Sequence, residues 1–177
     1  MNKEFWEIWM EDESKRENDF KSYLASNKIR KESEIKNLVL GHIQKANHNL
    51  KFSKYIFDTN EFNDWVIVGA YYAIYQASLA LCALKGFTSK DHSATLLILI
   101  KEFYKKGLNK EDINIIGNIN LEKEDVLNYI ESRRKRKEAS YSTQSLFNKE
   151  DVDKLRLNAI MFVNKIKYII DSYNLKK

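Results

Sequence analysis

The segment Arg133 to Thr143 reads RRKRKEASYST and holds the side chains best suited to chemistry on a phosphate. Arg133, Arg134, Lys135, Arg136 and Lys137 form an unbroken run of cations, and Ser140, Tyr141, Ser142 and Thr143 add hydroxyls beyond it. Guanidinium forks bind phosphate bidentately. A tyrosine can stack on a base or accept a transferred group. A solvated helix face is the plain alternative for the charge, and cations near a helix C-terminus also suit its macrodipole.

Lys plus Arg number 30 against 25 Asp plus Glu, and the cationic run accounts for the whole net charge of +5. The positive field is therefore local, as a patch meeting a phosphate backbone would be. Of the three histidines, His42 falls on an apolar helical stripe and reads as a satisfied core residue. His48 has no distinguishing context. His92 opens a helix, where capping or loop anchoring accounts for it as well as function does. Tyr71, Tyr72 and Tyr75 recur at helical spacing, which favours core and dimer packing over a base-stacking platform. Cys82 is a single cysteine in an apolar stretch and reads as a small buried hydrophobe. No Gly-rich phosphate loop, HExxH pair, nucleophile elbow or zinc-spaced Cys/His cluster occurs, so neither a cofactor nor a metal is expected.

The elements that must position these residues are helical. The chain has 177 residues, no proline and 5 glycines, with 44% hydrophobic and 31% charged residues. That composition disfavours turn-rich all-β folds and disorder. One helix is expected from about Ile29 to Phe57 and a second from near Asn60 to Leu84, stopped by Lys85-Gly86. A third runs from Asp91 to about Lys105 before Gly107, and Asn109 caps a short one. Another starts after Asn120 and carries Val126, Tyr129 and Ile130 into the basic run. The last starts at Asn148, with a stripe from Val152 to Tyr173. No strand is expected.

Residues 1–28 read as a helical arm with an apolar cluster at Phe5, Trp6, Ile8, Trp9 and Met10, which docks on the body or on a partner chain. Residues 29–177 form the bundle. The start, Met1-Asn2-Lys3-Glu4, turns acidic at once and shows no secretory signal, so a reduced, cytoplasmic protein is expected. Trp65 to Leu84 carries no charge and has the length of a membrane span, but Tyr71, Tyr72, Tyr75, Gln76 and Ser78 sit in its middle. The central helix of a bundle fits better, and no membrane partner is expected.

The stretch DWVIVGAYYAIYQASLALCALKGFTSKDHSATLLILIKEF, Asp64 to Phe103, followed by RKEASY at Arg136 to Tyr141, resembles the HEPN superfamily, specifically its small stand-alone prokaryotic members. The matching pieces are Tyr71-Tyr72-Ala73-Ile74-Tyr75, Lys85-Gly86-Phe87, His92 and Arg136 to Tyr141, in the family's order and spacing. The likeness covers about Glu34 to Tyr173 and leaves out the arm. It implies an all-α, up-and-down bundle of about five helices that pairs as a homodimer. Active members are metal-independent ribonucleases that use an Arg followed a few residues later by a His, often with a Tyr two places beyond. The Arg neutralises the scissile phosphate, and the His handles protons as the ribose 2′-OH attacks.

Aligned on Tyr141, the motif puts Arg134 at the Arg and Ala139 at the His, while Arg136 matches a shorter form. A methyl group cannot shuttle a proton, and a tyrosine is too weakly acidic to replace histidine near neutrality without a large shift. By resemblance, Arg134, Arg136 and Tyr141 are the candidate catalytic residues, the run 133–137 binds RNA phosphate, and His92 and Ser140 are auxiliary candidates. Two functions stay open. One is a ribonuclease toxin of a toxin–antitoxin or defence system, whose nucleotidyltransferase partner adds AMP to the motif tyrosine. The other is a non-catalytic module binding nucleotide, RNA or such a partner. A purely structural helical dimer is a third reading.

Overall fold

The computed structural model describes residues 4–118 and 148–174. In chain order the elements are α1 (Phe5–Glu11), α2 (Glu13–Ala25), β1 (Ile29–Lys31), α3 (Ile35–Thr59), α4 (Asn63–Leu84), β2 (Phe87–Ser89), α5 (His92–Phe103), α6 (residues 110–118) and α7 (Lys149–Asn174). The all-α expectation holds. The helix expected after Asn120 lies outside the described residues.

Helices α3 and α4 form an antiparallel pair. Near their turn the buried Ser53 hydroxyl donates to the Val66 carbonyl at 3.0 Å. In the middle His42 meets Gln76, and at the far end the Glu32 N–H donates to the Gly86 carbonyl at 2.9 Å. The helices approach closely because α4 has Gly69 at the crossing, where a β-carbon would sit 3.0 Å from that of Ser53. Gly86, at φ +74°, turns the chain out of α4, a conformation that favours glycine. α4, uncharged from Trp65 onward, is the one helix among the described residues long and apolar enough to cross a membrane, and most of that stretch is buried inside the bundle.

One expectation is corrected here. Residues 29–31 are not the first turn of α3 but a strand, paired antiparallel with β2 in the register Ile29↔Ser89, Arg30↔Thr88, Lys31↔Phe87. Three-residue strands are too short to show alternation in sequence, and a partner some sixty residues away supplies the hydrogen bonds. Ile29 and Ser89 are buried on the inner face of this ribbon, while Arg30 points outward.

β2 carries the chain back along α4. As a result α5 begins beside Tyr71 and Tyr75 and ends with Glu102 and Phe103 beside Lys85. Its run Leu96 to Ile100 is buried on every side. The N-terminal segment supplies one of those walls, since α1 and α2 both pack on α5. Trp6, Trp9 and Phe20 are buried in the same apolar cluster as α4, α5 and α7. Each indole removes roughly 150–250 Å² from water, a gross gain of roughly 4–6 kcal/mol at about 25 cal/mol/Å². That gain makes a short α1, marginal alone, stable in place.

Reciprocal bonds cap α6. The Asp112 N–H donates to Asn109 Oδ1 at 2.9 Å, and the Asn109 N–H donates to Asp112 Oδ2 at 2.7 Å. The Asp112 carboxylate also pairs with Lys165 and so ties α6 to α7. α7 starts at the Asn148 cap, where Oδ1 accepts from the Asp151 N–H at 2.8 Å.

Candidate functional site

Of the sequence-derived candidates, Arg133, Arg134, Lys135, Arg136, Lys137, Ser140 and Tyr141 lie outside the described residues. His92 is described, and its surroundings follow from how α5 starts. Asp91 caps the helix, its Oδ1 accepting from the Ala94 N–H at 2.9 Å, and its carbonyl accepts from the Thr95 hydroxyl at 3.0 Å. The cap fixes the first turn and turns the half-buried His92 ring towards α4.

There the Tyr71 hydroxyl lies 2.9 Å from His92 Nε2 and 3.2 Å from Nδ1. The Tyr75 ring lies against the same imidazole, with centroids 4.5 Å apart. Tyr71 and Tyr75, one helical turn apart, stack in near-parallel planes at 6.0 Å. Burial pushes the Tyr75 phenol above its ordinary value, against a hydrogen bond from Thr95. The result is an imidazole held by a buried phenol and flanked by a second aromatic ring, an arrangement able to pass a proton.

The other two histidines differ. His42 Nδ1 lies 2.8 Å from Gln76 Oε1 between α3 and α4, half-buried, as expected of a satisfied residue on the apolar stripe. Burial holds its pKa below the ordinary value. His48 is exposed. Cys82 is buried as a free thiol, and burial pushes its pKa up. Tyr71 is buried and Tyr72 partly exposed. Among the described residues, no three His, Cys, Asp or Glu side chains gather in a group that could hold a metal.

Sequence reasoning missed the link between Tyr71 and His92. The two residues lie in different helices, and only the return of the chain through β2 brings them together. The Tyr-Tyr-x-x-Tyr spacing was the available signal, because it puts the first and third tyrosines on one face of α4.

The HEPN domain model matches residues 39–169, from early in α3 almost to the end of α7. A protein of Methanocaldococcus jannaschii named "Putative toxin MJ0142" is 30% identical to this chain over 135 residues, covering 76% of this chain and 83% of its own length. The bundle, the Tyr-rich α4 and the His at the start of α5 lie within the matched region, and the chain belongs to the HEPN family.

Proposed function

We propose that this protein is a cytoplasmic HEPN toxin acting on RNA as a homodimer, with Arg134 and Arg136 on the phosphate and Tyr141 as the motif tyrosine. One observation carries the reading: a chain of this family keeps the motif's Arg, inside a five-cation run, and its Tyr four residues beyond that run. The name of the relative from M. jannaschii supports the toxin setting. Cleavage by 2′-OH attack needs a proton carrier where the chain has Ala139. His92, whose imidazole meets the Tyr71 phenol, is our candidate for that carrier. A nucleotidyltransferase that modifies Tyr141 is the fitting antitoxin partner.

The experiment is RNA cleavage by the purified protein in EDTA, beside Arg134→Ala/Arg136→Ala and His92→Ala, with the product ends identified. The expected result is 2′,3′-cyclic phosphate ends, with cleavage lost in the arginine variant. Ala139 favours a second reading, a module that binds RNA or nucleotide without cutting. RNA binding with no cleavage above the variants' background selects it.

A further inference from the structure

The small ribbon has an outer face that the family match does not explain. Strand β1 lies before the matched residues, which begin at 39. Because successive side chains in a strand point to opposite faces, burial of Ile29 and Ser89 turns Arg30 and Thr88 outward together. One residue beyond the paired register, Lys28 and Lys90 extend the same face. Lys28, Arg30, Thr88 and Lys90, with Asn27, Ser89 and Asp91, line a hollow of about 270 Å³.

Three cations thus meet in one concavity. Lys28 reaches the Asp91 carboxylate at 3.5 Å and also lies over the Tyr23 ring. Arg30 donates through Nε to the Asn27 carbonyl at 3.4 Å, and neither it nor Lys90 has an ion-pair partner among the described residues. Like charges facing each other across a ribbon destabilise it. Here the arrangement is braced. The buried Ser89 hydroxyl lies 2.8 Å from the Lys28 carbonyl and 3.1 Å from that of Asp91, and accepts from the Asp91 N–H at 3.0 Å. An anion in the hollow would relieve the repulsion that this bracing maintains.

We propose that Lys28, Arg30, Lys90 and the Thr88 hydroxyl form a phosphate-binding site, expected to take a backbone phosphate of an RNA strand. Its RNA assignment rests on the proposed function, while its phosphate chemistry does not. Lys90 stands two residues before His92 in the chain. The cations are positioned to bind and not to react.

The test is affinity for a fluorescein-labelled single-stranded 12-mer RNA across a KCl series. It compares wild type with Lys28→Ala/Arg30→Ala/Lys90→Ala, with Lys90→Gln, and with Lys51→Ala as an exposed cation elsewhere. Each lost phosphate contact lowers the slope of log affinity against log salt by about 0.7, so the triple variant loses roughly 2 and Lys90→Gln about 0.7. Lys51→Ala stays at the wild-type slope. In parallel, orthophosphate is titrated into 15N-labelled protein while the Thr88 and Lys90 amides are followed. Shifts lost in the triple variant, with no RNA binding by wild type, keep the phosphate site and overturn the RNA-linked function. A slope reduced only by Arg134→Ala/Arg136→Ala, with no amide shifts, keeps that function and overturns the site.

Discussion

The Tyr71 hydroxyl lies 2.9 Å from Nε2 of His92 and ties the middle of α4 to the first residue of α5. The phenol is buried, so its oxygen cannot turn to solvent if the imidazole leaves. Tyr71→Phe keeps the ring and removes the bond, at an expected cost of about 0.5–1.5 kcal/mol. Without that bond the imidazole should react faster with diethylpyrocarbonate, read at His92 by mass spectrometry. An unchanged rate would mean that the phenol does not hold the ring.

The indole of Trp6 covers Gly117 so closely that a β-carbon there would sit 2.6 Å from the ring. Gly117→Ala should therefore destabilise the fold by about 1–3 kcal/mol, as overpacking does. Trp6→Ala should cost about 3–5 kcal/mol. The two effects should not add: with Trp6 already replaced, Gly117→Ala becomes neutral or stabilising. Urea midpoints of the four proteins in this cycle decide the point.

Burial, helped by nearby Lys45 and opposed by the Gln76 hydrogen bond, holds the His42 imidazole below its ordinary 6.5. The unfolded chain therefore takes up a proton that the folded chain refuses. Stability from this residue is complete above about pH 6.5 and is lost as the pH falls through that value towards the lower folded one. His42→Gln should flatten this part of the profile, measured as urea midpoints between pH 5 and 8.

Ser89→Ala removes the hydroxyl that joins the Lys28 carbonyl to the Asp91 backbone. The site is buried, so the expected loss is about 1–3 kcal/mol. Hydrogen exchange should show faster opening of residues 87–94 than of α7, because the lost bonds join the ribbon to the start of α5. Uniform acceleration across the molecule would argue against this local role.

Local signals made most of the helices legible. The uncharged stretch before Lys85-Gly86 marked α4 and its stop, and Asn109 and Asn148 marked the starts of α6 and α7 through side chains that cap their own first turns. The ribbon was not legible, because Ile29 is a strand residue only when Ser89 lies beside it. The same holds for the His92 cluster. His92 carried its own signal as a helix opener, but its proton partner sits 21 residues earlier and is set by how the chain returns along α4. The cationic run was evident from composition alone, and its residues lie outside those described.

The arm and its socket are made at very different times. Trp6 Nε1 lies 3.4 Å from Asn114 Oδ1, a contact spanning 108 residues. At about 5–20 residues per second, the ribosome delivers the socket roughly 5–20 s after the indole. During that interval the apolar face of the nascent α1 has no native cover, and neither does much of α5 once it emerges. Helix α1 is thus made long before the residues that cover it, and Trp6 cannot reach its native place until α6 has emerged.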